Sequence, residues 1–220
     1  MKLQGAIFDF DGTLFDSMYV WDTAGADYLR GLGLEPEPNL GRTLKTMSLA
    51  QSAAYLKEKY HLKQTAEQIT DGVSRTAEHA YFYDVQPKKG AKEFARRLQE
   101  SGVRLCIATA TDRYEIEAAL ARCGMGGFFP EILTCTEAGS GKDEPQIFRE
   151  ALRRLGTSRD DTLVFEDACH AIETAKADGF TVAAVYDAHE EKQERIRKAA
   201  DFYLNDLTDF DSFRKLVSAI

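Results

Sequence analysis

From Leu3 to Phe10 the chain is a short apolar run that stops at Asp11-Gly12, the pattern of a buried strand ending in a turn. Beyond Asp16 the period changes: Met18, Trp21, Gly25, Tyr28, Leu29 and Leu32 recur at helical spacing until a Gly33-Leu34-Glu35-Pro36 break. A second helical pattern runs from about Leu44 through Ala53, Ala54 and Leu56 to Tyr60. A third opens at Thr65, where Thr65-Ala66-Glu67-Gln68 has the capping-box spacing that satisfies two orphan amides at a helix start. After Pro87 the rhythm becomes helix then strand. Helices are expected over 91–100, 113–123, 145–155 and 168–178, and strands over 103–109, 131–135, 162–166 and 181–185. A helix over 190–199, a short strand over 202–204 and a last helix from Asp211 complete the pattern.

Apolar strands such as Leu105-Cys106-Ile107-Ala108 and Thr162-Leu163-Val164-Phe165, alternating with amphipathic helices, imply a parallel sheet covered on both faces. The expected fold is α/β: a doubly wound, Rossmann-like sheet formed by residues 1–15 and 86–220, with an inserted α-helical module over 16–85. Such an insert reads as a lid over the carboxyl ends of the strands, where open α/β sheets bind ligands. No internal repeat or low-complexity tract interrupts the pattern.

Composition narrows the function classes. With 220 residues, 44% hydrophobic and 29% charged, the chain can hold one sizeable core and a smaller module. Its net charge of −8 argues against a nucleic-acid partner, which requires a basic surface, but not against a small anionic ligand. No charged-then-apolar leader and no apolar run of membrane-spanning length occur, so a cytoplasmic protein without a membrane partner is expected, and a monomer. Cys106, Cys123, Cys135 and Cys169 lack metal-ligand spacing and read as reduced, structural thiols.

Four polar signals fall at ends of predicted strands. Asp9-Phe10-Asp11-Gly12-Thr13 closes the first; residues two apart in a strand face the same way, so Asp9 and Asp11 can serve one site before Gly12 turns the chain. Close carboxylates repel unless one keeps a proton or a cation intervenes, which suits one nucleophile and one acid. Thr109 ends a second strand, with Ala110 and Thr111 expected to open the next helix as a cradle for phosphate oxygens. Lys142 precedes a helix and is placed to neutralise both an aspartate nucleophile and a phosphate. Glu166-Asp167 ends the strand over 162–166, and paired carboxylates there suit a hard cation such as Mg²⁺. Each signal alone has a plainer reading as a turn, a cap or a solvated charge; their convergence on one sheet edge does not.

In this order, Asp-x-Asp-Gly-Thr, a strand-terminal Thr, Lys-x-x-Pro and Glu-Asp resemble the four motifs of the haloacid dehalogenase superfamily, over essentially the whole chain. The helical insert resembles the cap of the subgroup containing β-phosphoglucomutase and many small-molecule phosphatases. The resemblance implies a magnesium-dependent phosphatase acting on small phosphorylated metabolites. Asp9 would form an aspartyl-phosphate, and Asp11 would protonate the leaving oxygen and then activate water. Mg²⁺ would be held by Asp9, the Asp11 carbonyl and Asp167, with Glu166 behind them. Gly12, Thr13, Thr109, Ala110 and Lys142 would contact phosphate. Ala110, Asp143, Ala168 and Ala171 depart from the usual residues without removing a reacting group.

A sugar-phosphate mutase is the alternative within the family, but its cap histidine and arginine align with Trp21 and Leu49, and Thr13 stands where such mutases often have valine. A phospho-accepting signalling module, a dehalogenase and an idle binding protein fit less well: the first places its acidic pair differently, the second needs no Glu-Asp pair, and the third has no use for Asp11. Trp21, Arg42, Lys45 and Met47 are candidates for substrate selection, with Arg42 or Lys45 able to meet a distal anion; Met47 also reads as cap core. His170 reads as a surface or supporting residue, since Mg²⁺ prefers oxygen.

Overall fold

Ala6, Ile7 and Phe8 have no exposed surface, as befits a strand covered on both faces. They belong to β1 (Gly5–Phe8) of a computed structural model that describes residues 2–44, 47 and 49–218. The chain continues through β2 (Phe15–Asp16), α1 (Met18–Gly31), α2 (Leu40–Leu44), α3 (Leu49–Lys59), α4 (Ala66–Tyr83) and β3 (Gln86–Pro87). It then alternates: α5 (Ala91–Glu100), β4 (Arg104–Thr109), α6 (Arg113–Arg122), β5 (Glu131–Thr134), the one-turn α7 (Cys135–Ala138), α8 (Gln146–Leu155) and β6 (Thr162–Glu166). α9 (Cys169–Ala177), β7 (Thr181–Val185), α10 (Gln193–Ala199), β8 (Phe202–Leu204) and α11 (Phe210–Ser218) follow.

Six strands form a sheet in the order β5-β4-β1-β6-β7-β8, every neighbouring pair parallel. This is the doubly wound order in which the winding reverses between β1 and β6, so the crevice for a ligand opens beyond those two strands. Period-two alternation divides the core. Ile7, Cys106 and Val164 face a layer that includes Ile147, Phe148 and Ile172 of α8 and α9. The next residue along, Phe8 or Phe165, faces the other way: the two rings stack at 4.1 Å, and Phe165 also meets Phe94 of α5 and Phe213 of α11. Each such ring contributes about 1.5–3 kcal/mol by burial.

Clustering of the backbone divides the chain into one unit of Met1–Asp16 and Gln86–Ile220 and another of Ser17–Val85. Within the first unit, β2 and β3 pair antiparallel where the chain leaves and returns, an element too short to show as a hydrophobic pattern. The second unit is entirely helical. On α4, Ile69, Val73, Ala77 and Tyr81 form a buried stripe at four-residue intervals. α1 packs with a stripe of Val20, Ala24, Gly25 and Leu29, so the spacing read from Trp21, Tyr28 and Leu32 is displaced toward solvent, and Leu32 is exposed. Gly72 permits a close approach: a Cβ there would lie 2.2 Å from the Tyr28 ring.

Several expected bounds shift for local reasons. β1 ends at Phe8 rather than Phe10, because the amides of Leu14 and Phe15 both donate to the Phe10 carbonyl and fold the chain back. Ala110 and Thr111 do not open a helix; they form a bend, and α6 starts at Arg113. Cys135 begins α7 instead of ending β5, since Thr134 and Glu137 close a capping box there. The helix expected from residue 190 starts at Gln193, because the Glu190 carboxylate accepts the amides of Cys169 and Lys192. The pattern from Leu44 to Tyr60 is not one helix but parts of α2 and α3. All four cysteines are free thiols.

The capping box at Thr65 is complete: its hydroxyl accepts from the Gln68 amide at 3.2 Å, and the Gln68 side chain accepts from the Thr65 amide at 2.9 Å. Thr65→Ala is expected to destabilise the protein by about 1 kcal/mol in urea unfolding; an unchanged midpoint would mean that the cap contributes nothing.

Candidate active site

The reversal point collects charge. Asp9 follows β1 directly, and its amide still donates to the Phe165 carbonyl of β6 at 2.9 Å, so its side chain starts beside the end of β6. There stand Glu166, the last residue of β6, and Asp167. Lys142 enters from the turn before α8, and its Nζ donates to Asp9 Oδ1 and, at 2.6 Å, to Glu166 Oε1. All four are buried, Glu166 completely. The second oxygen of Glu166 accepts the amides of Asp167 and Ala168 at 3.1 and 3.2 Å, so this carboxylate is occupied in holding the lysine and its own turn.

Asp167 is held differently. The Thr13 hydroxyl, itself inaccessible, donates to Asp167 Oδ1 at 2.8 Å. Gly12 lies against the same carboxylate: a Cβ on it would be 2.3 Å from Asp167 Oδ2, and its φ of +76° belongs to the left-handed region that favours glycine. Gly12 and Thr13 therefore shape the place of Asp167 directly. Asp9 and Asp11 do not share a strand pleat, since both lie beyond β1. Asp11 turns to the end of β4, where Oδ2 accepts the Thr111 hydroxyl at 2.6 Å. Thr109, fully buried, accepts the Thr111 amide on its own hydroxyl at 3.1 Å. Ala110 connects these two threonines.

Electrostatics expose an imbalance. Burial raises Asp9 to about 6 although Lys142 draws it down, with Glu166 adding to the rise. Burial likewise pushes Asp167 well above its ordinary value, reinforced by the charges of Asp9 and Glu166 and opposed by the Thr13 hydroxyl. Burial works against charge on Lys142, yet the carboxylates of Asp9 and Glu166 outweigh it and hold the ammonium above its usual range. Three carboxylates facing one ammonium leave an excess of two negative charges. One oxygen from each of Asp9, Glu166 and Asp167 lies within 4.8 Å of the others, a hard-oxygen set that fits a divalent cation both in donor type and in charge.

Among the remaining candidates, Trp21 is half-buried on α1 and its indole N–H donates to the Tyr81 hydroxyl of α4 at 3.1 Å. Arg42 is exposed on α2, and Lys45 lies outside the described residues. Met47 is half-buried in a bend and His170 is exposed on α9. The sequence offers Thr111 only as part of an expected helix opening and gives no sign of its side-chain bond to Asp11. Asp187 is buried after β7 and paired with Lys88 at 2.7 Å, and nothing in the local sequence separates it from a surface acid.

The family described as haloacid dehalogenase-like hydrolase matches residues 6–185, from within β1 to the end of β7. A phosphorylated carbohydrates phosphatase of Thermotoga maritima is 23% identical over 177 residues, covering 80% of this chain and 82% of that protein. Hexitol phosphatase B of Escherichia coli is 23% identical over 94% of each chain. The crystal structure of CbbY from Rhodobacter sphaeroides in complex with phosphate shares the fold with a TM-score of 0.78 at 20% identity, covering 94% of this chain and 96% of that one.

The raised aspartates set the sign of a pH effect. Unfolded aspartates titrate near 3.8. Above that value the folded, cation-free protein holds protons that the unfolded chain has released, so these groups lose it stability as pH rises through about 6. A divalent cation replaces those protons; the rise in Tm on adding Mg²⁺ should therefore be larger at pH 7.5 than at pH 5, and Asp167→Asn should remove most of the difference. A pH-independent rise in the unsubstituted protein would contradict this charge balance.

Proposed function

Since the chain belongs to the haloacid dehalogenase-like hydrolase family, we propose that it is a magnesium-dependent phosphatase of small phosphate monoesters that works through an aspartyl-phosphate on Asp9. The observation that carries this reading is the buried Lys142 ammonium bridging Asp9 and Glu166 at the reversal of the sheet, with Asp167 alongside. Asp9, Asp167 and the Asp11 backbone carbonyl would hold Mg²⁺, and Glu166 would support them from behind. The cation supplies the positive charge that a dianionic phosphate needs before it can approach so acidic a crevice.

The Asp9 carboxylate attacks phosphorus, replacing one hard displacement by two easier ones. Lys142 offsets negative charge on Asp9 and on the phosphate oxygens. Thr109 accepts the Thr111 amide and so keeps its own hydroxyl proton for a phosphate oxygen, alongside backbone amides of the Gly12 and Ala110 turns. Asp11 gives its proton to the leaving oxygen and takes one back from the water that hydrolyses the acyl phosphate. Carbohydrate and hexitol phosphatases among the relatives favour sugar phosphates as the substrate class. Trp21 and Arg42 of the helical unit, and Lys45, are the candidates for choosing among them.

Mutase action is the second reading. It is disfavoured by Trp21 and Leu49 at the two cap positions that such mutases use for a histidine and an arginine. The Trp21 N–H bond to Tyr81 supports a packing role for that ring within the helical unit.

Phosphate release from a panel of sugar phosphates, nucleotides and short phosphoesters should require Mg²⁺ and stop on chelation. Asp9→Asn should abolish turnover with the fold retained, and Asp11→Asn should lower kcat by about 10²–10⁴-fold. Full activity of Asp9→Asn, or activity that survives exhaustive chelation, would overturn the reading.

A further inference from the structure

We propose that the cleft between the end of α5 and α11 is a binding site for a small organic polyanion, one that carries two or more phosphate or carboxylate groups. The inference goes beyond the phosphatase reading and does not depend on it.

The cleft measures about 740 Å³, within the range of small-molecule sites. Glu100 and Ser101 on its wall end α5 just before β4 begins, so it lies toward the amino-terminal edge of the sheet, away from the strand ends that carry Asp9. Phe210 lines it, only 4% exposed and set edge-on to Phe94. Two guanidiniums converge on that one ring: the central carbon of Arg97 lies 4.3 Å from its centroid and that of Arg214 5.9 Å, both within cation–π range. Lys215 lines the same cleft one residue further along α11.

Charge here is unbalanced in the opposite sense to the candidate active site. Arg97 Nη2 donates to Asp211 at 2.6 Å, and Glu100 is bonded by Arg96, outside the cleft. Asp209, whose field reaches Lys215, spends a carboxylate oxygen on the Ser212 amide at 3.0 Å. Among the described residues Arg214 and Lys215 form no ion pair, and both are exposed. Three cations therefore line the cleft against two carboxylates that are already engaged, on a chain whose net charge is −8. Cations held this close repel one another, and an anion lying against Arg214 and Lys215 relieves that repulsion while leaving the Arg97–Asp211 pair intact. A guanidinium fork matches carboxylate and phosphate oxygens, which sets the chemistry of the charged groups. One inorganic ion would leave most of the volume to water, whereas a ligand of metabolite size fills it and reaches both cations.

The test is titration calorimetry of the full chain with ATP and with citrate, in the presence of EDTA. One site per chain is expected for at least one probe. Replacing both cations, Arg214→Gln with Lys215→Gln, should weaken binding at least about tenfold, while Asp9→Asn should leave it within about twofold, which separates the cleft from the candidate active site. If the doubly substituted chain does not fold, Lys215→Glu alone should weaken binding at least about tenfold. Lys63→Gln with Lys198→Gln removes the same charge from exposed positions elsewhere and should change little. No binding of either probe at about 1 mM, affinity that ignores the Arg214 and Lys215 replacements, or an equal loss in the Lys63 and Lys198 control would overturn the proposal. So would a dimer in sedimentation that the Arg214 and Lys215 replacements dissociate, since a second copy of the chain would then occupy the cleft.

Discussion

A lysine ammonium buried between two carboxylates is the interaction around which this protein is arranged. Taking Lys142, Asp9 and Glu166 out of water is costly, and only close pairing offsets that cost. The pairing in turn demands that three separate segments end at one point: the exit of β1, the exit of β6 and the turn before α8. Parallel neighbours β1 and β6 bring the first two together, and the return of α8 across the sheet delivers the third. The doubly wound order is thus the condition under which this charge cluster can exist at all.

Pairing leaves the cluster incomplete. Asp167 stands beside Asp9 and Glu166 and accepts the Thr13 hydroxyl, and among the described residues it forms no ion pair. The backbone accommodates it closely, to the point that Gly12 has no room for a side chain. A site so short of positive charge favours whatever brings it, first a proton and then a divalent ion, and a phosphate dianion only after that. Family membership and local charge therefore point the same way, one from the whole chain and the other from four side chains.

Much of this was legible along the chain. The strands over 162–166, 181–185 and 202–204 and the helix over 91–100 stand where their patterns put them, because each carries an uninterrupted apolar or amphipathic period with clear ends. The capping box at Thr65 was legible for the same reason: its partners are three residues apart. What failed was local pattern under nonlocal bonding. Phe10 looked like strand but is bent by the returning amides of Leu14 and Phe15; residues 190–192 looked helical but are held by a carboxylate that caps α9. The two-residue β2 and β3 have a partner seventy residues away in sequence and no period to read.

The candidate site divides along the same line. Residue type and order alone single out Asp9, Asp11, Thr109, Lys142, Glu166 and Asp167 as candidates for one phosphate chemistry, through the order of motifs that resembles the family and through the gathering of strand ends on one edge of a parallel sheet. Which atom meets which was decided only by the tertiary structure. Lys142 bridges Asp9 to Glu166, Thr13 serves Asp167, and the Thr111 hydroxyl donates to Asp11. Hydrogen bonds act over about 3 Å, here between residues 24 to 154 positions apart, and no one-dimensional period encodes the loop conformations that bring them within that range.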